Sequence, residues 1–145
     1  MEGNLIIISS PSGGGKGTII KEVLEALPDV GYSISLTTRP PRFGVEEGRH
    51  YHFVTKRQFE DEIANDTFLE YAEVHGNYYG TSRIQTERIT HEGRDGILEI
   101  DVQGALQVME KLPPAVSIFI MPPSFDVLKA RLTSRATENN EDLEL

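Results

Sequence analysis

The strongest constraint on the fold is the stretch NLIIISSPSGGGKGTII at residues 4–20, where an apolar run passes directly into a glycine-rich segment. The apolar run at residues 4–9 predicts a buried strand. After the glycines, apolar side chains recur at the spacing of one helical face: Ile19, Ile20, Val23, Leu24 and Leu27. Pro28 ends this predicted helix. A loop between a strand and a helix directs several backbone N–H groups and the positive end of the helix dipole at one point, so the stretch predicts a phosphate-binding loop.

The loop differs at both outer positions from the common phosphate-binding pattern GxxxxGK[ST]. Its frame is Ser10, Gly15, Lys16 and Gly17, so the central Gly-Lys pair is kept. Ser10 needs only to be small, and Gly17 still offers its N–H, with the Thr18 hydroxyl one residue later. Because the usual magnesium ligand is missing, we expect Mg²⁺ to be held largely through water and nucleotide oxygens. A flexible turn is the alternative interpretation, and the strand, lysine and amphipathic helix around the glycines favour phosphate binding over it.

The composition excludes several classes of protein. With 145 residues and no cysteine, the chain is long enough for one domain and forms no disulfide. It has no run of about 20 apolar residues and no leader pattern, so we expect a cytoplasmic protein without a membrane partner. The net charge of −9 argues against nucleic acid as a partner. The four histidines lack metal-ligand spacing, and the sequence carries no signal for or against a homo-oligomer.

Strand and helix patterns alternate along most of the chain, which predicts an α/β fold with a mostly parallel central sheet flanked by helices. The further strands are predicted at residues 32–38, 96–101 and 115–121. The helix after the third strand carries its apolar face on four residues: Ala105, Val108, Met109 and Leu112. In the last helix, which Ser124 caps, three residues are predicted to point inward: Phe125, Leu128 and Leu132.

Residues 39–92 interrupt this alternation with two short strands, YHFV and FLEYAEV, and two short helical patterns. Thr55 and Gln58 form a predicted capping box at the first of these helices. We interpret the segment as an inserted subdomain.

Two arginines follow the predicted second strand in SLTTRPPRFGVEEGRHY at residues 35–51. Ligands of open parallel sheets lie at the carboxyl ends of the strands, so Arg39, Arg42 and Tyr51 should face the glycine-rich loop and form a second phosphate site. The prolines between the arginines stiffen the turn, which favours binding over the alternative of a charged surface turn. DVQG at residues 101–104 matches a GTPase pattern, but the chain contains no NKxD, so we reject that class.

Five motifs in order resemble the guanylate kinase family, bacterial type, from residue 4 to the end of the chain: SPSGGGKGT, TTRPPRFGVEEGRHYHF, FLEYAEVHGNYYGTS, LEIDVQG and LKARLTSRATE. The resemblance implies a P-loop kinase of purine metabolism that uses ATP, GMP and Mg²⁺ and makes ADP and GDP. It divides the chain into a core at residues 1–38 and 93–135, a GMP-binding subdomain at 39–92 and the start of a lid at 136–145.

The resemblance also implies the site residues. ATP is bound by Ser12, Gly13, Gly14, Gly15, Lys16, Gly17 and Thr18. GMP is bound by Ser35, Arg39, Arg42, Tyr51, Glu70, Tyr79, Thr81 and Asp101. The catalytic residues are Lys16, Arg39, Arg131 and Arg135, and Mg²⁺ lies near Asp101 through water.

The chemistry of guanine supports the base-binding residues independently. One carboxylate, Glu70, can accept both N1–H and the 2-amino group, and hydroxyls such as those of Ser35 and Thr81 satisfy O6. Adenine would leave the carboxylate facing an acceptor, so we expect a preference for GMP over AMP. The alternatives are a solvated strand residue at Glu70 and a half-buried hairpin pair at Tyr78 and Tyr79. We expect phosphate contact at Tyr79 and packing at Tyr78.

Two further expectations follow from the resemblance. Since the family continues for several dozen residues past this point, we expect the 145 residues alone to lack part of the lid, a strand and a closing helix, and to have weak stability or activity. The alternative function is a non-catalytic guanylate-kinase-like scaffold that binds phosphopeptides. Such a scaffold has a degraded donor loop, whereas this chain keeps Gly15 and Lys16.

Overall fold

The computed structural model describes residues 2–11 and 15–138, apart from the side chains of residues 128, 131 and 134–138. The strands in these residues are β1 (Leu5–Ser9), β2 (Gly31–Ser33), β3 (Leu36–Thr37), β4 (His52–Phe53), β5 (Phe68–Val74), β6 (Asn77–Ser82), β7 (Gly96–Glu99) and β8 (Val116–Phe119). The helices are α1 (Lys16–Ala26), α2 (Lys56–Ala64), α3 (Arg83–His91), α4 (Val102–Lys111) and α5 (Phe125–Glu138). Within this part of the chain, no helix combines the length and the apolar character that a bilayer crossing requires.

The first sheet is fully parallel, with strand order β2-β7-β1-β8, which confirms the predicted fold class. Successive residues of β1 point to opposite faces of the sheet. Ile7 packs with Leu98 and Val108 on one face, and Ile8 packs with Ile20 and Ile97 on the other. The central strands β1 and β7 are therefore buried on both faces, as expected in a parallel sheet between helices.

The second sheet is mixed and has the strand order β4-β3-β6-β5. Its longest pairing is the antiparallel hairpin of β5 and β6, with a bulge between Phe68 and Glu70. Helix α2 covers this sheet with Phe59, whose ring lies 4.6 Å from that of Phe68. The predicted capping box at the start of α2 is confirmed, because the Thr55 and Gln58 side chains each accept a backbone N–H of the other residue.

The single strand predicted at residues 32–38 is wrong, because this segment forms two short strands in different sheets. The chain leaves the first sheet after Ser33 and joins the second at Leu36. Between them, the Ile34 N–H donates to Gln85 Oε1 at 2.5 Å, and Gln85 Nε2 donates to the Ile34 carbonyl at 3.3 Å. A side chain from α3 thus takes the place of a neighbouring strand at the crossing.

The predicted helical faces are only partly correct. In α1, Ile20 is buried, but Ile19 is 41 % exposed, and Leu27, the C-cap, is 54 % exposed. The apolar stripe is wider than the face that contacts the sheet. Met109 of α4 is likewise exposed. The Ser124 cap on α5 is confirmed by its bond from the Val127 N–H at 3.1 Å. Phe125, predicted to point inward, is 76 % exposed, because α5 follows the edge strand β8, whose apolar side chains are themselves exposed.

Candidate functional site

A cavity of about 240 Å³ lies between the carboxyl ends of the parallel strands and the second sheet. It brings together six residues that the sequence analysis assigns to the site: Lys16, Ser35, Tyr51, Glu70, Tyr79 and Asp101. Glu70 and Tyr79 belong to the second sheet, Lys16 and Asp101 lie at the starts of α1 and α4, and Ser35 and Tyr51 lie in the connections next to β3 and β4. The segments predicted to bind two different phosphate groups therefore share one cavity.

Lys16 reaches the cavity because α1 begins at this residue. Gly15 precedes it as the N-cap with φ 90° and ψ 11°, a left-handed conformation that glycine adopts without strain. Gly17 and Thr18 are exposed in the first helical turn, and a Cβ added at Gly17 would meet open space. The positive end of α1 and the lysine thus lie together. Ser12, Gly13 and Gly14, also predicted to bind ATP, lie outside the described residues.

Glu70 is a buried carboxylate at the cavity wall, with a side chain only 3 % exposed. It pairs across the hairpin with Thr81, whose hydroxyl donates to Glu70 Oε1 at 2.6 Å. Burial raises the pKa of Glu70 to about 7, and the nearby Asp101 charge adds to the rise, whereas the Thr81 bond and Lys111 oppose it. The site therefore holds a hydrogen-bond acceptor whose charge changes near neutral pH.

Ser35 lies at the crossing between the two sheets, and its own position is fixed by the backbone. The His52 N–H donates to the Ser35 carbonyl at 2.9 Å, and the neighbouring Ile34 is held by Gln85. The half-buried Ser35 hydroxyl lines the same cavity as Glu70. A hydroxyl and a carboxylate are thus available to one ligand.

The two tyrosines of β6 face in opposite directions because side chains alternate along a strand. Tyr79 lines the cavity and makes an edge contact with Tyr51, with ring centroids 5.9 Å apart. Tyr78 stacks on Phe59 at 5.1 Å, which confirms the predicted packing role. Burial raises the pKa of Tyr51 to about 12, with Tyr79 and Glu99 adding to the rise and Arg42 opposing it. The positive charge of Arg42 therefore acts on the Tyr51 hydroxyl.

The two arginines predicted for the acceptor phosphate follow β3 and are half-buried. The Arg39 N–H donates to the Thr37 hydroxyl at 3.1 Å, and the Arg42 carbonyl accepts the Val45 N–H at 3.0 Å. Both belong to the turn that leads to Tyr51. Arg131 and Arg135 lie in α5, and their side chains are outside the described residues, so their roles stay predictions.

Six lining residues are missing from the predicted site. Three are apolar, Ala72, Val74 and Ile100, and three carry polar groups, Tyr32, His50 and Glu99. The Tyr32 hydroxyl donates to Glu99 Oε1 at 2.9 Å, and burial together with this carboxylate raises the pKa of Tyr32. His50 accepts the Glu46 N–H on Nδ1 at 2.9 Å, so its neutral form carries its proton on Nε2. Glu99 could have been found from its place near the end of a predicted strand, and His50 from its place directly before Tyr51. Tyr32 begins its predicted strand, so no such signal marks it.

Asp101 is the N-cap of α4, and its Oδ1 accepts the Gly104 N–H at 2.9 Å. Asp101 and Glu99 both line the cavity. Across residues 2–11 and 15–138, His, Cys, Asp and Glu side chains do not gather in threes in an arrangement able to hold a metal ion. The available oxygens fit Mg²⁺ bound mainly through water and phosphate, the arrangement this ion prefers.

Comparison with known proteins gives a consistent result. A family model described as "Guanylate kinase" matches residues 2–144. Guanylate kinase of Clostridium perfringens (strain 13 / Type A) is 55 % identical over 141 residues, which cover 97 % of this chain and 65 % of that protein. Guanylate kinase of Neisseria meningitidis serogroup A / serotype 4A (strain DSM 15465 / Z2491) is 55 % identical over 140 residues, or 97 % of this chain and 68 % of that protein.

Among solved structures, the crystal structure of guanylate kinase from Anaplasma phagocytophilum matches with a TM-score of 0.79 and 38 % identity. The match covers 99 % of this chain and 73 % of that chain. This chain thus spans 65 % of the length of the Clostridium relative and a similar share of the others.

Proposed function

This chain belongs to the guanylate kinase family, and we propose on that basis that it transfers the γ-phosphoryl group of ATP to GMP, giving ADP and GDP. The observation that carries the proposal is the shared cavity. Lys16, at the positive end of α1, lines the same space as Tyr51 and Glu70. A donor phosphate at the loop and an acceptor nucleotide in the cavity would therefore face each other.

The acceptor phosphate needs charge neutralisation more than it needs a base. The second pKa of a phosphate monoester is about 6, so GMP is largely dianionic at neutral pH and its oxygen is already a nucleophile. Arg39 and Arg42 would hold this phosphate with the hydroxyls of Tyr51 and Tyr79. The charge of Arg42 acts on the Tyr51 hydroxyl, and the Tyr51 ring contacts that of Tyr79, which supports a shared role of these side chains at one phosphate. Holding two anions in line is the main catalytic task.

Guanine would be read by Glu70 and Ser35. The ionised Glu70 carboxylate accepts N1–H and the 2-amino group of the base. The Thr81 hydroxyl has one proton, and at 2.6 Å that proton is directed at Glu70. Thr81 would therefore contribute by holding the carboxylate, and Ser35 would donate to O6.

The donor side consists of the loop, Lys16 and the lid. The N–H groups of Gly15, Gly17 and Thr18 would bind ATP phosphates with the Lys16 cation, as would Ser12, Gly13 and Gly14. Mg²⁺ bound with ATP would neutralise charge on the transferred group. Asp101 and Glu99 would hold it through water, since both carboxylates line the cavity. Arg131 and Arg135 would reach the donor phosphates when a lid beginning at residue 136 closes.

The division into a core at residues 1–38 and 93–135 and a GMP-binding subdomain at 39–92 belongs to the same proposal. It is supported by the strands of the first sheet, which all come from the core segments, while most of the second sheet comes from residues 39–92. Strand β3 precedes the boundary although it pairs in the second sheet. A cytoplasmic location and a homo-oligomer are further hypotheses.

An ADP-release assay coupled to pyruvate kinase and lactate dehydrogenase, with ATP and Mg²⁺, tests the proposal. GMP as acceptor should give ADP release at least about a hundredfold faster than AMP, because adenine leaves Glu70 without donors. The alternative, a scaffold that binds phosphopeptides, predicts no ADP release with either acceptor, and the retained Gly15 and Lys16 argue against it. Equal rates with GMP and AMP would contradict the proposed acceptor.

A further inference from the structure

Gly104 lies in the first turn of α4 directly against the Glu70 carboxylate. A Cβ built at Gly104 would come within 2.5 Å of Glu70 Oε2 and 2.9 Å of its Cδ. It would also lie 3.3 Å from Asp101 Oδ1. Distances below 3.0 Å essentially never occur for real Cβ atoms. Any side chain at residue 104 therefore requires either helix α4 or the Glu70 side chain to move.

Helix α4 is fastened where it meets β5, so it cannot easily move away. Gln107 Nε2 donates to the Tyr71 carbonyl at 2.8 Å, and Gln107 Oε1 accepts the Tyr71 N–H at 3.3 Å. Lys111 Nζ donates to the Leu69 carbonyl at 2.7 Å. Residues 104, 107 and 111 are spaced to lie on one face of the helix. Through Gln107 and Lys111, this face forms hydrogen bonds with the backbone of β5, the edge strand of the second sheet.

The Glu70 side chain is therefore the partner that would give way. The Glu70 carboxyl group can move without breaking the contacts between α4 and β5, whereas helix α4 cannot. Moving it away from α4 would disturb its 2.6 Å bond from Thr81, because the side chain is almost fully enclosed. The carboxylate is thus held by the Thr81 bond on one side, and it fits against α4 on the other side because Gly104 has no side chain.

We propose that Gly104 is a positioning residue for guanine specificity, which sets the place of the Glu70 carboxylate by letting α4 approach it without a side chain. This inference rests on the proposed function, since it takes Glu70 as the group that accepts N1–H and the 2-amino group. Glycine within a helix is otherwise unfavourable, and here the close approach accounts for it.

The test is Gly104→Ala in the full chain, measured by calorimetric titration with GMP and with inosine monophosphate, whose base lacks the 2-amino group. The Kd for GMP should rise about tenfold or more, the effect of losing one hydrogen bond to a charged group. The Kd for inosine monophosphate should rise less, so the ratio of the two should shrink. At saturating GMP, kcat should change by less than about threefold, because binding is lost equally in the ground and transition states.

The matched control is Leu106→Ala. Leu106 is 61 % exposed and lies two residues further along α4, about 200° around the helix from Gly104. Both nucleotides should bind this variant as they bind the wild type. In a Glu70→Ala background, Gly104→Ala should change the Kd for GMP by less than about twofold, because the group it displaces is gone.

The outcomes separate this inference from the proposed function. If the wild type neither binds GMP nor transfers phosphate to it, the proposed function fails. If the wild type does both and Gly104→Ala keeps the wild-type Kd ratio, only the role of Gly104 fails. The role of Gly104 would also be overturned if Gly104→Ala weakened GMP binding as much in the Glu70→Ala background as in the wild type. A Gly104→Ala protein that has lost its cooperative thermal transition would likewise overturn it, since the helix and not the carboxylate would then have given way.

Discussion

The Thr81 hydroxyl donates a hydrogen bond to the Glu70 carboxylate at 2.6 Å, and Glu70 is only 3 % exposed to solvent. Burial raises the pKa of Glu70 to about 7 in spite of this bond. The free protein near neutral pH is therefore a mixture of ionised and protonated Glu70. Only the ionised form accepts two hydrogen bonds from guanine, so the proposed site binds GMP in competition with a proton.

GMP affinity should fall as the pH is lowered through 7. For a carboxylate with a pKa of about 7, the apparent Kd rises roughly tenfold between pH 8 and pH 6. Calorimetric titration of GMP across this range measures the change. Glu70→Gln should bind weakly with only the shallow dependence of the phosphate itself, whose second pKa is about 6. A wild-type affinity constant from pH 8 to pH 6 would contradict the role of Glu70.

Thr81→Val should shift the midpoint of this pH dependence to a higher pH. The Thr81 bond lowers the pKa of Glu70, so its loss raises that pKa further above 7. GMP binding at pH 7 should weaken several-fold, recover at pH 9, and show a higher midpoint in the same titrations. Thr81→Ser keeps the hydroxyl and should retain the wild-type midpoint. An equal loss at every pH would mean that Thr81 contacts the base directly.

Glu70→Gln should stabilise the folded chain at alkaline pH. The pKa of Glu70 is raised from 4.5 to about 7 on folding, so its favourable contribution is complete below 4.5 and is lost as the pH rises through 7. At pH 8 the variant should gain at most about 3 kcal/mol in free energy of unfolding relative to wild type. Urea unfolding at pH 8 and pH 4.5 measures the difference, which should nearly vanish at the lower pH. A variant less stable than wild type at pH 8 would contradict the cost of burying this charge.

Lys16→Ala should separate catalysis from acceptor binding. Its cation faces the proposed donor phosphates, so kcat should fall by about two orders of magnitude or more, whereas the Kd for GMP should stay within about threefold. Lys21→Ala is the matched control, because Lys21 is exposed on the same helix. The coupled ADP assay and calorimetry provide the two readouts. Preserved turnover in Lys16→Ala would refute the donor site.

Features encoded by neighbouring residues could be predicted from the sequence. The strand at residues 5–9 and the helix at residues 16–26 follow from apolar spacing, and the capping box at Thr55 follows from the pairing with Gln58 three residues later. The opposite orientations of Tyr78 and Tyr79 follow from the alternation of side chains along a strand. Each of these depends on interactions within a few residues or on one repeating geometry.

Features that depend on residues distant in the chain could not be predicted from the sequence. The break between β2 and β3 is made by Gln85, 51 residues from Ile34. The bond from Tyr32 to Glu99 joins residues 67 positions apart, and no local pattern reports which strands become neighbours. The contact of Gly104 with Glu70 likewise depends on the docking of α4 against β5. Tertiary packing therefore supplied the parts of the site that local reasoning missed.

The bulge in β5 gives three consecutive residues three different surroundings. Phe68 joins the aromatic rings under α2, Leu69 enters the core of the first sheet, and Glu70 lines the cavity. Leu69 is the extra residue of the bulge, and its carbonyl is satisfied by Lys111. Insertion or deletion of a single amino acid here would drive a carboxylate into hydrocarbon and a leucine into the cavity. That exchange costs several kcal/mol, comparable with the total stability of a small domain, so these three positions should tolerate almost no change in length.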